Sequence, residues 1–284
     1  MWESNPYLIS ILAILGLCIG SFLNVVIYRV PKRLQASWEK ESRDFLGITQ
    51  EEAAETPTIS IAFPPSHCTK CGAAIRPWHN IPVLSYLFLR GTCASCAAPI
   101  SIQYPLVEIA CGAIFVLVFL TFSDPKTALF ALFFCLLLVV LTGIDFKTQL
   151  LPDNLTLPLL WLGLIANSQG LFTDLPSAVY GAVFGYLSLW SVYWAFKLLT
   201  GKEGMGYGDF KLLAALGAWV GWQQLPLIIL LSSLIGAIIG ILLIATSSKE
   251  KQTPIAFGPY LALAGITALF RGDEIISAYL GYLA

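Results

Sequence analysis

The stretch YLISILAILGLCIGSFLNVVIY, from Tyr7 to Tyr28, contains 22 residues and no charged side chain. A helix needs about 20 apolar residues to cross the hydrocarbon core of a bilayer, so this stretch predicts a transmembrane helix. No Lys or Arg precedes it, whereas Arg29, Lys32 and Arg33 follow it directly. The sequence therefore predicts a retained first helix rather than a signal peptide, with its carboxyl end in the cytoplasm.

The composition of the whole chain agrees with a membrane protein. Its 284 residues are 57% hydrophobic and 12% charged, with a mean hydropathy of +0.77. Soluble domains carry about 25% charged residues. The net charge of -1, from 16 basic and 17 acidic residues, gives no indication of a nucleic-acid partner.

Further apolar runs predict seven more spans, and hence an all-α polytopic membrane protein with about eight transmembrane helices. These runs cover approximately residues 105–123, 127–144, 155–172, 175–197, 209–224, 226–246 and 257–272. Alternate crossings place residues 29–104, 145–154, 198–208 and 247–256 in the cytoplasm. Of the 16 basic residues, all but Lys126 and Arg271 then lie in or near these segments. This asymmetry predicts the orientation of the chain.

The predicted chain has three parts. Residues 1–29 form the first transmembrane helix, residues 30–104 a cytoplasmic loop domain, and residues 105–284 a seven-helix membrane core. Within the loop, residues 34–60 are charged and predict an amphipathic or partly ordered surface insert.

Two Cys-x-x-Cys pairs lie in the loop between residues 63 and 103, Cys68 with Cys71 and Cys93 with Cys96. Four thiolates form the tetrahedral ligand set of a structural zinc site, and Gly72 and Gly91 beside them permit tight turns. Two disulfides or a redox pair are the alternatives. A reducing cytoplasm disfavours persistent disulfides, so the pattern favours structural zinc with no open coordination position.

The remaining histidines and cysteines have simpler interpretations. His67 adjoins Cys68 and could compete with the cysteines as a ligand, whereas His79 is expected to be a loop or interface residue. Cys18, Cys111 and Cys135 lie within predicted spans, where cysteine usually packs as a small apolar side chain.

The tripeptide Asp-Phe-Lys occurs twice, at Asp145–Lys147 and at Asp209–Lys211. Two crossings separate the copies, so both aspartates are expected at the cytoplasmic interface, where they can meet if the third and sixth spans are neighbours. Two close carboxylates share a proton, so one can activate water while the other polarises a peptide carbonyl. The glycines before Asp209 would let a substrate backbone approach closely.

Each aspartate alone also has a simpler interpretation. An aspartate at a membrane boundary is often a solvated loop charge, and Asp209 could be the N-cap of the sixth span. Asp153 or Asn154 is expected to cap the fourth span in the same way. Lys147 and Lys211 are expected to extend toward lipid headgroups.

Ordered blocks along nearly the whole chain resemble the type IV prepilin peptidases, also called prepilin leader peptidase/N-methyltransferases. The blocks are GSFLNVVIYRVPKR (Gly20 to Arg33), FPPSHCTKC (Phe63 to Cys71), NIPVLSYLFLRGTC (Asn80 to Cys93), ISIQYPLVE (Ile100 to Glu108), DFKTQLLPDNLTLPLLWLGL (Asp145 to Leu164), GKEGMGYGDFKLLAALGAW (Gly201 to Trp219) and FGPYLALAG (Phe257 to Gly265). The resemblance implies a multi-pass aspartic endopeptidase of the bacterial inner membrane.

By this resemblance, Asp145 and Asp209 are the catalytic pair, and Gly206 and Gly208 are the glycines of the Gly-x-Gly-Asp motif. The implied substrates are prepilins and the pseudopilins of type II secretion, cut on the cytoplasmic side after a glycine. The new N-terminus would then be methylated with S-adenosylmethionine, because a large loop with four cysteines is typical of the bifunctional members.

The residues that would bind S-adenosylmethionine are not apparent from spacing, since the chain has no Gly-rich nucleotide motif. Candidates are Asn24, Arg29, Glu108 and Glu203. Polar side chains such as Asn24 and Glu108 are costly within spans and often functional, with helix-to-helix hydrogen bonding as the alternative.

Three other functions remain as alternatives. One is a peptidase without methyltransferase activity. Another is an ion-coupled transporter whose intramembrane carboxylates bind cations or protons. The last is an assembly scaffold whose zinc site docks a partner.

Overall fold

The computed structural model describes residues 6–47, 60–246 and 256–283. These residues form nine α-helices and no strands, which confirms the all-α prediction. The helices are α1 (Pro6–Leu46), α2 (Leu84–Phe88), α3 (Gln103–Thr121), α4 (Pro125–Thr148), α5 (Asp153–Asn167), α6 (Leu175–Thr200), α7 (Tyr207–Val220), α8 (Leu225–Thr246) and α9 (Gly258–Leu283). Short 3-10 helices cover Pro77–Asn80 and Trp222–Gln224.

The chain divides into two compact units, Met1–Leu120 and Thr121–Ala284. The first unit contains α1, the cysteine loop and almost all of α3. Helix α3 belongs to this unit because it packs closely on α1, and the three-part division at residues 29 and 104 stays a prediction. A Cβ added to Gly16 would lie 2.6 Å from the carbonyl oxygen of Cys111, and one added to Gly20 would lie 2.7 Å from the Cα of Glu108. Small residues four apart allow two helix backbones to approach in this way.

Helix α1 does not end after Tyr28, as the hydropathy predicts, but continues through Pro31 to Leu46. The charged sequence after residue 32 is rich in helix formers. Pairs of side chains four residues apart support it, with Ser37 bonded to Glu41 and Arg43 beside Glu39. The predicted insert at residues 34–60 is therefore helical up to Leu46, and its residues 48–59 lie outside the described part.

The second unit is built around α7. Every residue from Asp209 to Trp219 except Lys211 is buried, and α5, α6 and α9 pack around the helix. Helices α6 and α7 come very close, because a Cβ added to Gly181 would lie only 2.1 Å from the carbonyl oxygen of Gly217. At the far end of α7, the buried Trp219 packs against the ring of Phe134.

Asn167 fixes the end of α5. Its Nδ2 donates to the carbonyl oxygens of Ala218 and Trp219, both at 2.8 Å, and its Oδ1 accepts from the N–H groups of Phe172 and Thr173. The predicted fourth span at 155–172 therefore ends early, at Asn167, because this side chain turns the chain toward α6.

Five helices of the described residues are long and apolar enough to cross a membrane, as expected of a multi-pass membrane protein. They are Pro6–Leu46, Gln103–Thr121, Pro125–Thr148, Leu175–Thr200 and Trp222–Leu242. Helices α5 and α7 have only 15 and 14 residues, and α9 carries Arg271, Asp273 and Glu274. The total of eight spans thus stays a prediction. The predicted cytoplasmic residues Lys249 and Lys251 lie outside the described residues.

Two local predictions were wrong. Neither Asp153 nor Asn154 caps α5, since Pro152 is the N-cap residue and no side chain bonds there. Asp153 instead binds Lys211, whose Nζ lies 2.7 Å from Oδ1 and 2.8 Å from Oδ2. Lys211 therefore joins the starts of α5 and α7 rather than extending to the headgroups.

Candidate functional site

Asp145 lies in the last turn of α4 and is only 5% exposed. Its Oδ2 accepts a hydrogen bond of 3.0 Å from the backbone N–H of Gly258, the first residue of α9. The fit is close, because a Cβ on Gly258 would lie 2.6 Å from this oxygen. Only glycine at position 258 lets the start of α9 reach the carboxylate in this way.

Asp209 is the third residue of α7 and is 9% exposed. The N-cap of α7 is Gly206, so the alternative that Asp209 itself caps the helix was wrong. The Asp209 carboxylate accepts a hydrogen bond from the backbone N–H of Gly206, as the residue at position N3 does in a capping box. Gly206 is extended, with φ -80° and ψ 148°, which lets the chain enter the helix with its N–H facing Asp209.

The two aspartates come together around Leu151. A Cβ on Gly208, beside Asp209, would lie 2.8 Å from the Cβ of Leu151, and one on Gly258 would lie 3.2 Å from its Cδ2. The two carboxylates are close enough to repel each other. Helix α9 packs against both α4 and α7, so the helices that carry the pair are joined through a third helix. Among the described residues, neither carboxylate has a cationic partner.

The segment that leads into Asp209 is held by an ion pair and three aromatic rings. Lys197, in the last turn of α6, lies 2.8 Å from Glu203 and 3.2 Å from the hydroxyl of Tyr193. The hydrogen bond from Lys197 lowers the pKa of Glu203. The ring of Tyr193 lies 5.2 Å from that of Tyr207 and 5.6 Å from that of Phe210. These contacts place the start of α7 relative to α6.

Gly258 and the Lys211 to Asp153 ion pair were missed by reasoning from the residues. Gly258 lies within a block that supports the family resemblance, but nothing in that block indicates a contact with Asp145. The two residues are 113 positions apart. Only homologous positions that vary together would have indicated this pairing.

The four cysteines of the two Cys-x-x-Cys pairs form one cluster, as predicted. Their Sγ atoms all lie within 4.8 Å of one another, and those of Cys68 and Cys96 are 3.9 Å apart. A tetrahedral ion with bonds of about 2.3 Å would separate its sulfur ligands by about 3.8 Å, so the cluster fits such an ion. All four cysteines are free thiols, which contradicts the disulfide alternative. His67 is not in the cluster, since its Nδ1 lies 3.0 Å from the carbonyl oxygen of Pro65.

Gly72 and Gly91 both lie in the left-handed region, with φ 71° and 70°, which confirms the predicted tight turns beside the cysteines. Gly72 follows Cys71, and its N–H donates to the carbonyl oxygen of Cys68. Ala97 follows the second pair, with φ 54°, and likewise donates its N–H to the carbonyl oxygen of Cys93. Both pairs therefore make the same turn, although only the first has a glycine at that position.

Hydrogen bonding shifts the pKa values of two thiols of the cluster in opposite directions. Backbone hydrogen bonds from Cys71 and Lys70 lower the pKa of Cys68 to about 6. A backbone hydrogen bond from Ala98 also lowers the pKa of Cys96, but hydrogen bonds with the other three thiols, together with desolvation, outweigh it and raise that pKa to about 11. Negative charge on one sulfur thus opposes charge on the next, and a bound cation would remove this opposition.

The first unit also holds a cavity of about 260 Å³, whose lining includes Asn24, Arg29 and Glu108. Asn24 joins α1 to α3 by donating to the carbonyl oxygen of Tyr104 at 3.0 Å, so its alternative role as a link between helices is confirmed. His79 lines this cavity too. Glu203, the fourth candidate from the sequence, lies in the second unit.

Two family models match the chain. Residues 14–122 match the bacterial peptidase A24 N-terminal domain, and residues 132–241 match the type IV leader peptidase family. No solved structure matches.

Curated relatives match almost end to end, and all those named here are called prepilin leader peptidase/N-methyltransferase. The protein from Pseudomonas aeruginosa is 55% identical over 269 residues, which cover 95% of this chain and 92% of the relative. The protein from Stutzerimonas stutzeri is 53% identical, with 98% and 96% covered. The one from Aeromonas hydrophila is 53% identical, with 95% and 93% covered.

Proposed function

The chain belongs to the type IV leader peptidase family, and we infer that it removes leader peptides from prepilins and methylates the N-terminus that each cut creates. Both activities are in the names of the relatives described above, and each match covers more than nine tenths of the relative and of this chain. The observation that most supports the peptidase activity here is the pair of buried carboxylates, Asp145 and Asp209, held at the ends of two helices.

We propose that Asp145 and Asp209 hydrolyse the scissile peptide bond together. One carboxylate takes a proton from water as the water oxygen bonds to the carbonyl carbon, and the protonated partner donates to the carbonyl oxygen. When the tetrahedral intermediate collapses, the C–N bond breaks, the leaving nitrogen takes the proton from the carboxyl group that deprotonated the water, and the other carboxylate takes a hydroxyl proton back from the intermediate. The bond from Gly258 engages Oδ2 of Asp145, which leaves Oδ1 to contact the water. Gly206 admits the substrate backbone beside Asp209, because a Cβ there would meet only Oδ2 of Asp209, at 4.0 Å, whereas Leu151 fills the space beside Gly208.

Methyl transfer then modifies the amine that cleavage releases. S-adenosylmethionine supplies an electrophilic methyl group on sulfur. The neutral amine forms a bond to the methyl carbon as the C–S bond breaks, the electron pair returns to sulfur, and the nitrogen loses a proton. The products are the methylated pilin, a proton and S-adenosylhomocysteine.

We propose that the ion held by Cys68, Cys71, Cys93 and Cys96 is a structural zinc. An all-sulfur set favours zinc, and it leaves no position for a catalytic water. Replacing Cys68 with serine is expected to lower the zinc content of the purified protein from one ion per chain to a small fraction. Measurement of metal by mass spectrometry checks this expectation, with Cys135→Ser, at a buried cysteine outside the cluster, as the matched control. Full zinc content in Cys68→Ser would contradict the assignment.

The proposed setting is the bacterial inner membrane, with the aspartates at the cytoplasmic face. The basic residues near the ends of the spans support this orientation. A prepilin has a basic leader before its apolar helix, so its scissile bond is expected at that same face. Pseudopilins of type II secretion share this arrangement and are proposed as further substrates.

The test of the aspartate pair uses three variants with the same chemical change. Asp145→Asn and Asp209→Asn are each expected to reduce cleavage of a prepilin by about a thousandfold or more, because the pair then lacks its base or its acid. Asp174→Asn is the control, since Asp174 caps α6 and asparagine caps equally well. Gel mobility of the prepilin reports cleavage, and labelled S-adenosylmethionine reports methyl transfer.

The outcomes separate the alternatives. Normal cleavage by either Asp145→Asn or Asp209→Asn would refute the catalytic pair and favour the transporter or the scaffold. Cleavage by the unaltered protein without label in the pilin would reject the methyltransferase activity alone.

A further inference from the structure

The cavity of the first unit contains two buried and opposite charges that do not pair with any charged residue. Arg29 is 5% exposed and Glu108 is 7% exposed, and both line the cavity. Among the described residues, neither side chain forms a salt bridge. Buried charges in proteins are nearly always paired or bound to a ligand, because leaving water costs an ion several kcal/mol. The cavity therefore presents one cationic and one anionic group that lack an ionic partner.

Arg29 retains hydrogen-bonding capacity beyond its contacts within the chain. Its Nη1 donates to the carbonyl oxygens of Ser60 and Ile61, at 3.0 and 3.1 Å, and its Nη2 donates to that of Pro64, at 2.5 Å. These partners are neutral, so the positive charge is not balanced. A guanidinium has five N–H groups, so two of them are left for an anion.

Glu108 is held by a strained part of the backbone. Its Oε2 accepts a hydrogen bond of 2.8 Å from the N–H of Val83, and Ser21 donates to the same carboxylate. Val83 has φ 60° and ψ -48°, a conformation that a β-branched residue rarely adopts. Such strain concentrates at functional sites, where the surrounding structure holds a group in a required place. Here it fixes Glu108 at the cavity wall.

The rest of the cavity suits a ligand that also carries an aromatic ring. Tyr28, Tyr86 and Tyr104 contribute to its lining, together with the amide of Asn80. Tyrosine rings provide flat surfaces for stacking, and an amide can both donate to and accept from a purine edge. Opposite charges beside aromatic side chains match a nucleoside joined to an amino-acid zwitterion.

We propose that this cavity binds the methyl donor, with Glu108 contacting the α-ammonium group of its methionine moiety and Arg29 contacting the α-carboxylate. This inference rests on the proposed methyltransferase function and deepens it, because it assigns the donor to particular residues. The two charges of the ligand replace the missing ionic partners of Arg29 and Glu108. The methyl donor is thus held by α1, α3 and the loop of the first unit, whereas the proposed catalytic aspartates lie in the second.

The experiment compares two ligands that differ in the amino-acid moiety. S-adenosylhomocysteine carries this moiety, and 5′-methylthioadenosine lacks it. Calorimetry on the purified full-length protein is expected to show that S-adenosylhomocysteine binds at least about tenfold more tightly, as paired charges in a buried site predict. Glu108→Gln is expected to reduce this difference to about threefold or less and to leave the affinity for 5′-methylthioadenosine within about twofold.

Glu108→Gln is a mild change, because glutamine can still accept the N–H of Val83. Its retained affinity for 5′-methylthioadenosine shows that the cavity is still folded. Glu274→Gln is the matched control, since Glu274 is an exposed carboxylate of α9 paired with Arg271. It is expected to change neither affinity. Arg29→Lys, which keeps a cation but loses the planar fork, is expected to weaken only S-adenosylhomocysteine.

Two results would overturn the proposal. An unchanged ratio of affinities in Glu108→Gln, whether both ligands keep their affinity or lose it equally, would show that Glu108 does not contact the amino-acid moiety, while the methyltransferase function itself would stand. Normal binding of S-adenosylhomocysteine with slower methylation of a cleaved peptide would assign Glu108 to the peptide amine. If the unaltered protein neither binds S-adenosylhomocysteine nor transfers a methyl group, the proposed methyltransferase function fails as well.

Discussion

Aspartates at helix ends have two different fates in this protein. Asp124 and Asp174 are N-caps of α4 and α6, and each accepts the N–H of a residue three positions later. Hydrogen bonds from Thr127 lower the pKa of Asp124, so it stays ionised and stabilises the helix start. Asp145 and Asp209 are instead buried beside each other. The same residue type is structural where it is exposed and caps a helix, and a candidate for catalysis where burial brings it beside a second carboxylate.

Gly258→Ala tests the contact that a distant segment makes with Asp145. The added Cβ would lie 2.6 Å from Oδ2, so the carboxylate must move and its hydrogen bond to the Gly258 N–H is lost. A displacement of about 1 Å in a catalytic group costs about a hundredfold in rate, and we expect a loss of that order in prepilin cleavage.

Gly281→Ala provides the matched control on the same helix. A Cβ there meets no atom within 4 Å, so full activity is expected. Retention of full activity by Gly258→Ala would show that this contact does not position Asp145.

At the scale of the elements, close approach of helix backbones stabilises the interior of each unit. In α1, Gly16 and Gly20 face α3, and in α6, Gly181 and Gly185 face α7. Each pair has the spacing Gly-x-x-x-Gly, which is a known signal for close helix packing in membranes. Both spacings are visible in the sequence. Close packing against α6 also accounts for the burial of α7. This helix has only 14 residues and a length of about 21 Å, whereas a transmembrane span needs about 30 Å.

Gly181→Ala is expected to separate α6 from α7. Its Cβ would lie 2.1 Å from the carbonyl oxygen of Gly217, and overpacking of this kind typically costs about 1 to 3 kcal/mol. We expect a lower midpoint of thermal unfolding in detergent, with reduced cleavage because Asp209 begins the displaced helix.

Val183→Leu on the same helix is the control for added volume. Val183 is 45% exposed, so one more carbon there has room and should leave the midpoint unchanged. An unchanged midpoint in Gly181→Ala would mean that the two helices do not need this contact.

At the scale of the whole molecule, the two compact units hold separate candidate sites. The cysteine cluster and the cavity with Arg29 and Glu108 belong to Met1–Leu120, and the aspartate pair belongs to Thr121–Ala284. The described residues of each candidate site belong to one unit. We therefore expect substitutions in one site to affect one activity more than the other.

The orientation of the chain gives a further prediction at this scale. Helix α4 has one lysine at each end, Lys126 and Lys147, so its orientation follows from the excess of basic residues in the other predicted cytoplasmic segments, which assigns its end to the cytoplasm. Alkaline phosphatase, which is active only after export, is expected to be active when fused after Ser123 and inactive when fused after Thr148. A fluorescent protein that requires the cytoplasm should give the opposite result at both sites. The reversed pattern would refute the proposed topology.

The sequence by itself determined the membrane class, the helical architecture, the four-cysteine cluster and the family. Each depends on local features, namely apolar runs, ligand spacing and ordered motifs. It did not determine that α1 continues to Leu46, that α7 is a short buried helix, or that Gly258 contacts Asp145. Hydropathy gives the average polarity of a segment, but it does not show which other segments pack against it. Only the tertiary structure decided which buried polar groups found partners, because those partners come from segments far away in the chain.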